Sequence, residues 1–557
     1  MKKSLFRLGM GLALLIAFAS CQKLGELKPE YFTVNPNPLE VKGGKVEGTI
    51  TATFPEKYFA EKGVVEVTPV LVYEGGEALS ESATYQGAKV EGNNETIQYK
   101  AGGTVSQNFS FDFVPAMKQS NLVLRFKATL NDKEVQIPEI QIAVGCITTA
   151  TLNNAAEIAP AVAAANFMRD TAEVTEADIM FQIQQATVKN NKDVKALNAA
   201  AAATAKDTMR TIQGLEVVSA ASPDGGVELN EKLANKRQDN TVKFLKKQKN
   251  NKAAIDAKFI AQDWEGFQKL VNESSIQDKE LILSVLSQYA DPAEREAQIK
   301  NLSAAYTELA KDILPKLRRS HLALTVIKAG KTDEQIMEMA KNNPDTLNVE
   351  ELMYAASIAS GEYVSKITKA NVDLNPTDWR TQNNWAADQF KNRKYNVTKS
   401  ALEAAANNGG AEKAETNFNN GLLALLDSNT ADAEAFLGKA AGIEQLAEAQ
   451  GVLYIQKGEY AKAVEAFGNT VSNNAALAQL LSGNLDKAVA ILDNVAAKDA
   501  NTYYLAAVCA ARQNDLAKVC EALGKVKGKC KDKAAEAATD LEFAKFWLLD
   551  EFKTAIQ

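Results

Sequence analysis

His321 is the only histidine in 557 residues, and that single count removes much acid–base and metal chemistry. A serine triad needs an imidazole as its base, and the common zinc centres take several imidazoles or thiolates. HExxH is excluded outright. His321 ends the run LPKLRRSH, residues 314–321, with no second metal ligand beside it, and reads as a surface or capping residue. Cys146, Cys509, Cys520 and Cys530 form no CxxC pair, which argues against a zinc ribbon or a thioredoxin-type site. The last three are close enough in sequence for a disulfide, and buried thiols account for them equally well. GxxxxGK[ST], GxSxG and a GxGxxG following a strand are all absent. Two places remain. One is Cys21, directly behind the small residues Ala19 and Ser20; the other is the turn Ser222-Pro223-Asp224-Gly225-Gly226, followed by Asn230 and Arg237. A carboxylate and a guanidinium can bind charged groups of opposite sign. The expectation is a protein with no catalytic residue, no metal and no cofactor.

These side chains need elements to hold them, and a chain of this length implies several domains. With 46% hydrophobic and 24% charged residues it has ordinary globular composition. Its formal charge of -7, from 63 basic and 70 acidic side chains, gives no footprint for nucleic acid. Lys2, Lys3 and Arg7 precede an apolar run from Leu8 to Ala19. That run falls short of the ~20 residues a membrane-spanning helix needs, so it reads as an export signal. Prolines 29, 36, 38, 55, 69, 115 and 138 crowd the first quarter, and none follows Pro376. Proline suits turns and strand edges and breaks helix interiors, which predicts strands early and helices late. Val46, Gly48, Ile50, Ala52 and Phe54 alternate with polar residues, as do Phe109, Phe111 and Phe113, and Leu122, Leu124, Phe126 and Ala128. Period two with glycine and asparagine turns between the runs predicts an antiparallel β-sandwich of roughly seven strands.

From Glu176 to Ser274 the pattern alternates. Strands are predicted at 177–184, 215–220 and 257–261, and helices at 193–211 and 227–247, giving a small α/β layer. After Gln277 apolar residues recur at three and four, as in amphipathic helices, with breaks at Asp291-Pro292 and Asn343-Pro344. A repeat then emerges. Gly458, Tyr460, Ala463 and Phe467 recur as Gly483, Leu485, Ala488 and Leu492, and again as Asn514, Leu516, Val519 and Leu523. Upstream, Ser428, Ala433 and Leu437 take equivalent places, and Tyr395 with Leu402 opens the series.

Several of these features resemble known families. Phe18-Ala19-Ser20-Cys21 resembles the bacterial lipobox, which implies removal of residues 1–20 and acylation of Cys21, with palmitate among the chains. Asn230, Leu233 and Arg237 behind the glycine turn resemble the core motif of the OmpA-like domain, which binds peptidoglycan through an Asp and an Arg. Arg237 falls on the family's Arg, whereas Ser222 stands where the family has Asp, with Asp224 nearby. The repeat resembles a degenerate tetratricopeptide (TPR) array, whose units are ~34 residues long and bind proteins on a concave face. The combination, with DPxERE at 291–296 and PTDWRTQNNWA at 376–386, resembles a Bacteroidetes family of outer-membrane lipoproteins.

The resulting expectation is a multidomain chain. Residues 1–20 form the signal, 21–45 the lipidated N-terminus and linker, 46–150 the β-sandwich, and 176–275 the OmpA-like α/β domain. Residues 277–370 form a helical region and 371–557 the TPR-like solenoid. The expected function is non-enzymatic: a scaffold held in the outer membrane by its lipid, on the periplasmic face, that engages envelope proteins through the solenoid. The alternative is a peptidoglycan tether using Ser222, Asp224, Asn230 and Arg237.

Overall fold

The computed structural model describes residues 27–248, 253–276 and 278–557. The expected export signal, Cys21 and the residues through 26 lie outside the described residues. The chain folds as two compact units, one comprising the residues up to 164 together with 364–557, the other residues 165–363.

The first unit opens with two β-sheets that share one core. In one sheet, Lys45–Phe54 lies between Phe32–Asn35 and Leu39–Lys42 on one side and Gly103–Asp112 on the other. The second is built on the antiparallel pair Gly63–Tyr73 and Ser120–Leu130. Val46, Ile50, Phe109 and Phe111 of the first sheet pack with Val65, Val67, Leu122 and Leu124 of the second. Full burial of such side chains contributes roughly 1.5–3 kcal/mol each. Gly48 keeps the alternation but has no room for a side chain, because a Cβ there would stand 2.7 Å from the Phe109 ring. The sandwich starts earlier than expected. Phe32–Asn35 and Leu39–Lys42 are already strands, although the four residues of each are too few to show period two in sequence. The strands beyond the expected seven include Glu95–Ile97, Lys133–Val135 and Cys146–Ile147, shorter still.

The same unit continues in five helix hairpins, followed by short helices that include Leu541–Phe546 and Asp550–Ile556. The hairpins are Trp379–Lys391 with Tyr395–Ala405, Ala414–Leu426 with Thr430–Leu437, Leu446–Gln456 with Tyr460–Phe467, Asn473–Leu481 with Leu485–Asn494, and Ala500–Arg512 with Leu516–Lys529. Each hairpin turns on one residue with positive φ: Arg393, Ser428, Gly458, Gly483 and Asn514. The next residue then donates its N–H to the carbonyl five positions back, at 2.8–2.9 Å in all five turns. This is the Schellman closure, which satisfies carbonyls left open at a helix end. Five positions after each turn residue stand Thr398, Ala433, Ala463, Ala488 and Val519, all fully buried. Close approach within a hairpin also needs small partners: a Cβ on Gly451 would lie 2.5 Å from the Phe467 ring. Neighbouring hairpins touch through both helices, and the series forms a solenoid of the TPR-like kind that the repeat predicts.

The second unit holds a four-stranded sheet in the order Thr171–Met180, Arg319–Lys328, Arg210–Ala220, Ile255–Ile260. Helices Lys192–Thr204 and Val227–Lys246 bury Val194, Leu197, Ala201 and Leu245 against it. Residues 277–370, expected to be helical, supply a strand from the far side of a helical insertion. Arg319–Lys328 runs antiparallel to both neighbours and buries Ser320, Leu322, Leu324 and Val326 on one side. The α/β layer therefore does not close at residue 275. Its other side carries His321, which is neither a cap nor a free surface group. His321 Nδ1 lies 2.9 Å from Asp178 on the facing strand, and that hydrogen bond raises its pKa. The insertion comprises Trp264–Glu273, Lys279–Gln288, Pro292–Asn301, Ser303–Asp312 and Leu314–Leu317, packed on Phe267, Val271, Ile282, Leu309 and Leu317.

Candidate functional site

The loop between strand Arg210–Ala220 and helix Val227–Lys246 brings three of the four sequence-nominated residues together. Asn230, near the helix start, donates from Nδ2 to the carbonyls of Ser222 at 3.0 Å and Gly225 at 2.8 Å, which fixes the turn. The Ser222 hydroxyl donates to the Asp224 carboxylate. A residue the sequence reading did not nominate completes the cluster. Arg318 reaches Ser222 Oγ from Nε at 3.1 Å and Asp224 Oδ2 from Nη2 at 3.1 Å. Only its position at the head of the alternating run Arg319–Lys328 could have signalled it.

Arg237 turns away from this cluster into the protein. It is 1% exposed, and its guanidinium donates to the carbonyls of Ala220 at 2.8 Å, Gln185 at 3.0 Å and Gln182 at 3.3 Å. Its centre lies 4.9 Å from the centroid of the Phe181 ring, a cation–π contact. Burial, followed by the nearby Arg318 charge, pushes its pKa down to about 10. Trp264, Phe267, Glu296 and Tyr306 of the helical insertion line a small crevice with Pro223 and Asp224. A cationic ligand at this loop therefore meets a carboxylate already paired with Arg318.

The inner face of the helical array offers different chemistry. Residues 149–163, which lead out of the sandwich, lie along the first helices of the hairpins. Three asparagines hold this segment by its main chain. Asn384 accepts from Ala163 N at 2.7 Å and donates to Ala163 O at 2.9 Å. Asn419 does the same to Ala161, at 2.8 Å for both bonds, and Asn474 to Asn154, at 2.8 and 3.0 Å. Asn383 adds a bond to Ala161 O at 3.1 Å and is itself tied to Asn419 at 3.0 Å. A side-chain amide offers one acceptor and two donors, so each bidentate pair imitates one step of a β-ladder. Ala155, Ile158 and Ala161 of the segment join the hydrophobic core of the array. At its start, the segment is anchored by Thr149, which donates to Glu542. Glu542 in turn takes a bidentate bond from Arg512.

The three clamping asparagines occupy one repeat position. Each stands nine residues before its turn residue: 384 before 393, 419 before 428, 474 before 483. The third and fifth hairpins carry Ala449 and Leu505 there, both buried. This register was present in the sequence but becomes a signal only once Arg393 is recognised as the first turn. The inner face, expected to be open to partners, is thus filled by the chain itself.

The cysteines add no cluster. Cys146 and Cys509 are buried, Cys530 is exposed, and none of the four described cysteines is in a disulfide. Among the described residues no group of three or more His, Cys, Asp or Glu side chains is placed to hold a metal ion.

No family model matches the chain, and no curated relative does. Among solved structures, a tetratricopeptide repeat protein from Parabacteroides merdae matches, with 14% identity and a TM-score of 0.27; the match covers 49% of this chain and 97% of that one.

Proposed function

We propose that the chain is a non-enzymatic scaffold of the bacterial outer membrane, anchored by acyl chains on Cys21 at the periplasmic face, that binds other envelope proteins through its helical array. One observation carries the binding role: asparagines at one repeat position of the array hold a polypeptide, here the chain's own segment 149–163, by its main chain. A solenoid built this way is suited to proteins rather than to small substrates. The anchor rests on the charged start, the short apolar run and the Ala19-Ser20-Cys21 junction. No helix among the described residues is long and apolar enough to cross a membrane.

The competing reading is a peptidoglycan tether through an OmpA-like domain. In its favour, Ser222, Asp224 and Asn230 gather in the loop that opens a helix of an α/β layer. Against it, the Arg237 guanidinium is buried on backbone carbonyls, and Asp224 is paired with Arg318.

Two measurements separate these readings. Crosslinking in intact envelopes should recover proteins attached to the array, and isolated sacculi should retain little of the chain. Strong sacculus retention with no protein crosslinks would reverse the assignment. Cys21→Ser should move the protein out of the detergent phase, and unchanged partitioning would remove the lipid anchor from the proposal.

A further inference from the structure

The four-stranded sheet of residues 165–363 ends on two unlike edges. Thr171–Met180 carries Glu173, Glu176 and Asp178 and no basic side chain, so a second such strand laid against it meets like charge. At the other edge, Ile255–Ile260 has no strand beyond it among the described residues. It pairs in parallel with Arg210–Ala220, where Ala254 O accepts from Leu215 N at 2.9 Å and Ile260 O from Ala221 N at 3.3 Å. In a parallel ladder such bonds fall on every second residue. The even-numbered residues therefore face the sheet, and Ile255, Ala257 and Phe259 turn their N–H and C=O groups outward. On that outer side Gln238 Nε2 reaches Ala257 O at 3.3 Å, a long bond. The side chains of Ile255 and Ala257 pack on the helix side of the sheet, which leaves Asp256 and Lys258 on its other face. There Lys258 holds Glu216 and still exposes 59% of its side chain. Phe259 and Ile260 are each 38% exposed.

We propose that Ile255–Ile260 is the edge on which a second copy of this chain pairs, antiparallel, about a two-fold axis beside Ala257. The outward groups fix the register. Ala257 faces Ala257 of the second copy and Ile255 faces its Phe259, so each outward N–H meets a C=O; the long Gln238 bond gives way. In that register Asp256 stands opposite Lys258 on both sides of the axis, at the closer, non-hydrogen-bonded positions. A shift by two residues either way sets Asp256 against Asp256 or Lys258 against Lys258. Charge therefore selects one alignment. The layer above agrees with it. Helix Val227–Lys246 packs on both Arg210–Ala220 and Ile255–Ile260. With strands about 4.8 Å apart, the axis sets the two copies of this helix roughly 10 Å apart, the spacing of packed helices. Phe259 and Ile260 are covered in the same step. The contact is isologous and closes as a dimer, with the acidic edges outermost. It goes beyond the function proposed above and requires neither the lipid anchor nor the array.

The test is sedimentation equilibrium of the full chain, in enough detergent to keep micelles singly occupied, with carbodiimide crosslinking of mixed isotopically light and heavy copies. A dimer at micromolar concentration is expected, with a mixed-isotope crosslink joining Asp256 to Lys258. Asp256→Lys makes both cross-strand pairs repulsive and should weaken the dimer by at least about tenfold. Adding Lys258→Asp restores opposite charges and keeps a lysine beside Glu216, so the double variant should dimerise as the wild type does. That rescue separates the interface from a folding defect. A monomer throughout the micromolar range overturns the proposal, as does a dimer indifferent to Asp256→Lys or not restored by the swap. Crosslinks between copies that lie only on another surface overturn it too. The same holds for crosslinks in intact envelopes that join this edge to a different protein.

Discussion

The loop at Ser222–Asp224 and the groove around 149–163 are both places where the chain binds itself, and they differ in how completely. At the loop each charge has its opposite: Asp224 faces Arg318, and only 16% and 13% of their side chains are exposed. In the groove asparagines answer the main chain at Asn154, Ala161 and Ala163, and Glu157 accepts from Asn154 and Asn473, but the buried Asn473 Oδ1 is left without a partner. A closed ion pair in a crevice resists displacement because a ligand must replace both its charge and its hydrogen bonds. The comparison shows that resemblance to a binding motif and readiness to bind are separate properties. The motif-bearing loop is the more satisfied of the two.

The largest effect that could break this comparison is expected at Arg237. If the guanidinium is structural, Arg237→Ala strands three backbone carbonyls, and each buried unsatisfied group costs about 1–3 kcal/mol. Unit 165–363 should lose about 3 kcal/mol or more, read as faster hydrogen exchange through its four-stranded sheet. Unchanged exchange with lost sacculus binding would mark Arg237 as a ligand contact instead. Next comes Asn419→Ala, which removes both bonds to Ala161 and the support of Asn383. A loss of about 2–3 kcal/mol is expected, with the Ala161 amide exchanging freely. Insensitivity at Asn419 would mean that the apolar contacts of Ile158 and its neighbours hold the segment alone.

Much of the fold was legible in the sequence because it rests on periodicity. Ser428, Gly458, Gly483 and Asn514 were placed in register by small and apolar residues alone, and all four prove to be left-handed turns. Arg393 hid the first turn, since an arginine at positive φ carries no compositional mark. Strand Arg319–Lys328 was obscured differently. Arg319 and His321 stand on its polar side where a strand signal would be sought, and its partners are more than 100 residues away in the chain. The loop residues were found by motif, yet the residue that closes their site, Arg318, arrives only after the helical insertion. The clamping asparagines were missed because a polar residue on a helix reads as solvated until something is known to cover it.

A smaller effect sharpens the loop side of the comparison. Asp224→Ala leaves Arg318 without its carboxylate in a mostly buried position. The expected cost is about 1–2 kcal/mol in unit 165–363, with no change in array stability. An unaltered melting profile would show that Arg318 relaxes into solvent and that the loop is open enough to admit a ligand after all.

The smallest effect is electrostatic and belongs to the groove. Packing against the array, then the Asp499 charge, holds the Glu157 carboxyl above its ordinary pKa, and packing does the same for Glu448, with Glu157 adding to it. A carboxyl whose pKa is raised on folding binds its proton more tightly in the folded state. The folded segment is therefore favoured at low pH and loses ground as pH rises through and above the ordinary carboxylate range near 4.5, until both groups are ionised. Glu157 as a residue remains exposed, so solvent screening reduces the effect to a few tenths of a kcal/mol. Hydrogen exchange across 149–163, corrected for its intrinsic pH dependence, should show protection falling between pH 4 and 7. Glu157→Gln should remove most of that slope and hold the segment more firmly at pH 7. If the slope survives the substitution, Glu448 is the group that titrates. If the wild type shows no slope at all, solvent screens both carboxyls and segment 149–163 is as well matched as the loop.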